Sequence, residues 1–221
     1  MGDLIGIDEA GVGPVLGPLV VGGVRVEEKS LKLFREIRVK DSKLFGGGER
    51  AFKRRENLWQ KINGSANVWV EKITATELDG QNWILLEIER IAKILRRLWW
   101  WEAEKIFVGW LGKLGEERFL RFLGKSLASR EKVSFRELRK KIVYQRNAEE
   151  ETVVAAASIL AKVERDKEVK RLCESLGFSY VSGYANSNTA GFLRKCKERY
   201  GSLPSFVRKS WRWEPLQELL V

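Results

Sequence analysis

The chain has 221 residues, 44% of them hydrophobic, which is enough for one buried core and a short appendage. Lys and Arg outnumber Asp and Glu by 41 to 30, a net charge of +11, and there is no histidine at all. The missing histidine excludes Ser-His-Asp and Cys-His triads, histidine zinc sites and histidine general bases, so any hydrolysis must run on carboxylates, lysines or bound metal. A positive excess of this size favours a polyanionic partner such as nucleic acid, against the plainer reading of a Lys/Arg-rich solvated surface of the thermophile kind.

In chain order, Leu4 to Ile7 is a short apolar strand-like run ending at Asp8-Glu9. Gly11, Gly13, Pro14, Gly17 and Pro18 then mark a tight turn, and the β-branched run Leu19 to Val26 predicts a second strand in a hairpin with the first. A polar, Gly-rich loop covers Lys40 to Gly48, a basic helix Arg50 to Ile62, and a third strand Val68 to Ile73. Helical periodicity over Gln81 to Trp101 precedes a strand at Lys105 to Val108, a helix at Glu116 to Ala128 and a strand at Lys141 to Tyr144. Glu150 to Leu176 predicts a long helix, and Thr189 to Tyr200 a basic one before a Trp-rich end. Three strands in meander order followed by strand–helix alternation predict an α/β fold with a mixed sheet flanked by helices. Residues 1–176 would form the main domain, with 177–221 a helical extension packed on it.

Cys173 and Cys196 are too few for a disulfide framework and read as reduced cysteines of a cytoplasmic protein. No secretory leader pattern opens the chain, and no apolar stretch approaches the roughly 18 residues of a membrane span. Trp99-Trp100-Trp101 on a helix would point in three directions. At least one would then lie exposed, as a base-stacking platform, or covered by the tail with Trp211 and Trp213.

Adjacent carboxylates at the end of an apolar strand are costly to bury without a cation beside them. Mg²⁺ suits Asp8 and Glu9, because it takes carboxylate and water oxygens and tolerates phosphate as a co-ligand. Gly11-Val12-Gly13 would let bare backbone approach a sugar–phosphate chain. On these residues alone, a hairpin with solvated acids remains the simpler alternative.

Four segments in order, IGIDEAGVGPVLGPLVVGGV from Ile5, KDSK (Lys40 to Lys43), AAASILAKVERD (Ala155 to Asp166) and SGYANSNTAGFL (Ser182 to Leu193) with FVRKSW (Phe206 to Trp211), span nearly the whole chain. Together they resemble the type 2 ribonuclease H (ribonuclease HII) family. The resemblance implies a ribonuclease H-like five-stranded mixed sheet with a C-terminal helical extension that helps hold the duplex. It implies endonucleolytic hydrolysis of the RNA strand of RNA/DNA hybrids, or at ribonucleotides embedded in DNA, using Mg²⁺ or Mn²⁺ held by four acids in the order Asp-Glu-Asp-Asp.

Asp8 and Glu9 match the first two acids, as catalytic residues and metal ligands. The third falls on Gly109, or on Trp110, and the fourth on Ala148, with Glu149 next to it as a replacement one residue along. A shifted alignment would use Glu116 instead. The resemblance therefore implies a duplex-binding protein of impaired activity, the alternatives being an active enzyme using Asp8, Glu9 and Glu149, or another ribonuclease H-like nuclease acting on branched DNA. Gly11, Val12 and Gly13 stand where the family has Gly-Arg-Gly, whose backbone meets the ribose 2′-OH. Tyr184 matches the tyrosine that packs on the sugar at the RNA–DNA junction, and Lys43 a position near the strand backbone; Ser158, one helical turn from Lys162 and on the same face, is a candidate to approach the site as a substrate-binding residue. Clusters at Lys53-Arg54-Arg55, Arg139-Lys140-Lys141, Arg194-Lys195-Lys197 and Arg208-Lys209 offer phosphate contacts. The chain is expected to act as a monomer.

Overall fold

The computed structural model describes residues 2–27, 30–37, 39, 45–46, 48–128 and 133–220. The KDSK segment, with Lys43, therefore lies outside the described residues. Five strands form one mixed sheet: β1 (Asp3–Ala10), β2 (Leu19–Glu27), β3 (Asn67–Ile73), β4 (Lys105–Gly109) and β5 (Ile142–Gln145), in the order β3-β2-β1-β4-β5. β1 pairs antiparallel with β2, and β2 with β3, while β4 runs parallel to β1 and β5 parallel to β4. Every residue of β2 but its last is buried, because helices cover both faces, and its sequence is accordingly apolar without alternation. The edge strand β3 alternates between exposed and half-buried side chains over its first four residues.

One face is covered by α4 (Trp83–Arg97) and α5 (Glu116–Ala128), which with Ile5, Ile7, Ile106 and Val108 of the strands build the largest apolar cluster. Asn82 caps α4, its side chain accepting from the Ile84 and Leu85 N–H groups at 3.0 and 3.3 Å. The other face carries α7 (Thr152–Ser175), with α1 (Leu31–Glu36) and α2 (Gly48–Asn63) packed outside it. α7 is buried nearly all round, and Ala155, Ala156 and Ala157 let it lie close on the sheet. At Gly6 the approach is so close that a Cβ would meet the Val153 carbonyl oxygen at 2.3 Å.

The far end of α7 joins a third cluster built with α8 (Ser187–Tyr200), α9 (Glu214–Leu220), Val15 and Leu16. The C-terminal chain is woven into the turn after β1. Leu16 bridges to Val207, the Gly17 N–H donates to the Phe206 carbonyl at 2.9 Å, and the Val15 N–H donates to the Gly183 carbonyl at 2.8 Å. Among the described residues no helix is long and apolar enough to cross a membrane.

Among the described residues, the short helices α1, α3 (Ala75–Gly80), α6 (Phe135–Lys141) and α9, each of six or seven residues, were not individually expected from the sequence. The expected helix through Trp101 stops at Arg97, and Trp99 adopts φ 49° just beyond its end. That turn sends Trp100 into the core at 2% exposure and leaves Trp99 and Trp101 exposed. Trp211 and Trp213 do not cover the run; they pack on the third cluster with α8 and α9.

Candidate active site

Asp8 and Glu9 are the last acids on β1, with Asp8 opposite Gly22 and Glu9 opposite Val21 on β2. Strand alternation starts them toward opposite faces, yet their carboxyl ends come round to one place, the end of the parallel neighbour β4. A Cβ built on Gly109 would lie 3.1 Å from Asp8 Oδ1 and 3.9 Å from Glu9 Oε2. Of the two candidates for the third position, it is thus Gly109 that faces the pair. Trp110 turns away and stacks on Tyr144 with ring centroids 4.8 Å apart, and Tyr144 stacks in turn on Phe119 at 4.1 Å. The Tyr144 hydroxyl ties down the loop after β4, accepting from the Leu111 N–H at 2.8 Å and donating to the Leu114 carbonyl at 3.1 Å.

Burial, then the charge of Glu9, holds the Asp8 carboxyl well above the usual carboxylate range, and hydrogen bonds from the Ser158 hydroxyl and the Glu9 backbone pull the other way. Ser158 thus reaches the acids from α7, as the sequence suggested. Ala148 begins a short 3-10 turn over Ala148–Glu150, and its side chain is buried among the apolar residues under α7. Glu149 shares that turn; its side chain lies outside the described residues. Glu116 is exposed in the first turn of α5. Among the described residues no three His, Cys, Asp or Glu side chains come close enough together to hold a metal ion.

A residue that the sequence reading missed stands behind the pair. Glu87 on α4 is 1% exposed, and neither carboxylate oxygen has a hydrogen-bond partner. Burial first, then the charge of Asp8, pushes it up to about 8. The Tyr144 hydroxyl, raised to about 12 chiefly by burial, feels both Glu87 and Glu9. The available signal was an acid within WILLEIERIAKI with apolar helical neighbours at Trp83, Ile84 and Ile91, the fourth being Arg90.

Beside the acids, Gly11 turns the chain at φ +101°, where a side chain is strained and a Cβ would meet the Pro18 carbonyl oxygen at 2.8 Å. Gly13 is exposed with open space before it. Val12 is half-buried against the small cluster of Leu19, Ile73, Leu78 and Leu86. Arg208, at 0% exposure, holds this loop from below, donating from Nη1 to the Val12 carbonyl and from Nε to the Gly17 carbonyl, each at 3.0 Å. It is a strut rather than the surface phosphate contact that the basic pair suggested. Arg55 is likewise turned inward, 3.6 Å from Asp166. Arg165 donates to the Leu16 carbonyl at 3.1 Å, and its guanidinium carbon lies 5.6 Å from the centre of the Tyr184 ring. Lys162 Nζ stands 6.0 Å from that ring, which is 44% exposed. One face of α7 thus links Ser158 at the acids to Lys162 and Arg165 under Tyr184.

A family profile described as Ribonuclease HII matches residues 5–213. The ribonuclease HII of Thermococcus sibiricus is 36% identical over 212 residues, covering 94% of this chain and 87% of the relative. The crystal structure of ribonuclease H2 from Pyrococcus horikoshii OT3 superposes with a TM-score of 0.79 at 29% identity, covering 98% of this chain and 96% of that one. The ribonuclease HII of Archaeoglobus fulgidus, solved as a complex with PCNA, gives a TM-score of 0.75 at 33% identity, covering 95% of each chain.

Proposed function

Because the chain belongs to the ribonuclease HII family, we propose that it grips RNA/DNA hybrids or DNA carrying single ribonucleotides, as a monomer, while its hydrolytic step is severely weakened. The observation that carries this reading is the contrast between the braced glycine turn and the acids beside it. The glycine turn, braced by Arg208 and Arg165 and flanked by Tyr184, keeps the parts that would meet a ribose. At the acids, Gly109 offers no side chain where it faces Asp8 and Glu9, and Ala148, where the resemblance expects the fourth acid, is a methyl group buried among apolar neighbours.

The donors present suit one hard divalent cation, not the four-acid arrangement. Asp8 and Glu9 would hold Mg²⁺ or Mn²⁺, which keeps water in its remaining positions. When bound there, the ion supplies charge stabilisation at the scissile phosphate. This chain's residues do the rest. Ser158 fixes the Asp8 carboxyl by a hydrogen bond, the exposed Gly13 lets the sugar approach the turn, and Tyr184 gives the sugar an aromatic face.

Titration of Mg²⁺ and Mn²⁺ against labelled hybrid and a DNA-embedded ribonucleotide tests both halves. Expected is binding that weakens with salt, with a slope of about −0.9 per phosphate contact, and turnover far below that of the double variant Gly109→Asp, Ala148→Asp. A double variant that folds, binds hybrid and stays inert sinks the assignment of those two positions. Robust cleavage by the unaltered chain, abolished by Asp8→Asn, replaces it with an active enzyme on a variant acid set.

A further inference from the structure

A buried carboxyl with both oxygens unpartnered is a costly thing to keep in a core, and such a group calls for a missing ion or a functional role. Glu87 is that group: it sits on the inward face of α4, both oxygens unpartnered, behind Asp8 and on the side of the sheet that Tyr144 faces. Leu86, Ile88 and Ile91 around it are buried apolar residues of the same helix, so a Leu or Met at 87 would pack there without the penalty. The acid whose charge it feels is Asp8, and a cation held by Asp8 and Glu9 is the partner that would repay its burial.

We propose that Glu87 is a positioning residue for a divalent cation at Asp8 and Glu9, replacing from α4 the negative charge that Gly109 does not supply from β4. Its carboxyl does not converge with the pair closely enough to be a direct ligand, so it acts through Asp8 and the ion's water shell. Outer carboxylates of this kind change metal affinity by roughly 10- to 100-fold. The inference rests on the reading above that one cation site survives at Asp8 and Glu9.

The test is Mn²⁺ binding to the folded chain without nucleic acid, followed by loss of the free-ion paramagnetic resonance signal. The unaltered chain is expected to bind one ion, Glu87→Gln to bind it at least about tenfold more weakly, and Asp8→Asn to lose it. Glu87→Asp, which keeps the charge on a shorter stem, is expected to stay within about threefold, a rescue that a merely structural role would not produce. Folding of each variant is checked by circular dichroism. A Glu87→Gln chain that takes Mn²⁺ as well as the parent overturns the inference. So does a tenfold loss in Glu87→Asp, the arm that decides the matter if the glutamine variant does not fold. Hybrid binding by the parent in EDTA is measured alongside. Its absence sinks the duplex-binding reading, whereas a Mn²⁺ affinity indifferent to Glu87 sinks only the role given to this residue.

Discussion

Gly109→Asp is the perturbation that interrogates the acid pair most directly. The new carboxylate would hang from a Cβ 3.1 Å from Asp8 Oδ1 and 3.9 Å from Glu9 Oε2, so three carboxyl groups would crowd one pocket. Burial and Glu9 already favour the protonated form of Asp8, so the repulsion comes chiefly from Glu9, and two like charges about 4 Å apart repel by about 4 kcal/mol at an effective dielectric near 20. The chain can escape by keeping a proton, but holding an aspartate protonated at pH 7 against an ordinary pKa of about 3.9 itself costs about 4 kcal/mol. A net loss of roughly 2–4 kcal/mol in EDTA follows, and for a domain of this size about 2–4 °C is lost per kcal/mol. The melting temperature should therefore fall by roughly 5–15 °C. Gly109→Asn brings the same bulk without the charge and isolates the crowding at Asp8. Mn²⁺ at about a hundred times its Kd should return about 2.7 kcal/mol to the aspartate variant, and far less to the asparagine one. Melts followed by circular dichroism in EDTA and in Mn²⁺ measure all of this. If the two variants melt together in EDTA and Mn²⁺ rescues neither, position 109 does not face the acids.

Two further expectations concern the groups around that pocket. Because Glu87 is raised from 4.5 to about 8, the folded chain binds an extra proton between those values. Its contribution is complete below about pH 4.5 and is lost as pH rises through about 8, roughly 5 kcal/mol over the window. In EDTA, parent and Glu87→Gln should differ progressively from pH 5 to pH 8, the glutamine variant gaining relative stability with pH; a difference that does not change with pH refutes the assignment. Arg208→Met removes two charge-assisted hydrogen bonds to the Val12 and Gly17 carbonyls. Burial and the neighbouring charge of Arg165 lower the Arg208 pKa and offset part of the gain. The variant should lose about 2–4 kcal/mol in urea unfolding and bind hybrid more weakly, and unchanged values in both measurements would remove Arg208 as the brace of the loop.

The strands and the long helix were legible from composition and punctuation more than from period, since β2 is apolar on both faces and α7 carries apolar residues on all sides of its first half. β1 and β2 are β-branched runs broken by a glycine turn, and α7 announces itself through Ala155 to Leu160. α1, α3 and α6 span too few turns for a pattern to repeat. The resemblance alone pointed to Gly109 or Trp110, and the parallel pairing of β4 with β1, which no local pattern announces, is what brings Gly109 beside Asp8. Glu87 was hidden because charge on a helix reads as solvated until the opposing sheet is in place. Arg208 and Arg55 looked like phosphate contacts for a related reason. A basic residue's direction depends on what lies beneath it, and in both cases that is chain distant in sequence.

The bond between Arg208 and Val12 joins residues 196 positions apart. Translation delivers Arg208 long after Asp8 and Glu9, so this strut of the turn beside the acids is among its late-forming contacts. A product that stops short of position 208 carries Asp8 and Glu9 on an open-ended turn. Such a product would lack the two charge-assisted hydrogen bonds that tie the Val12 and Gly17 carbonyls to the C-terminal segment.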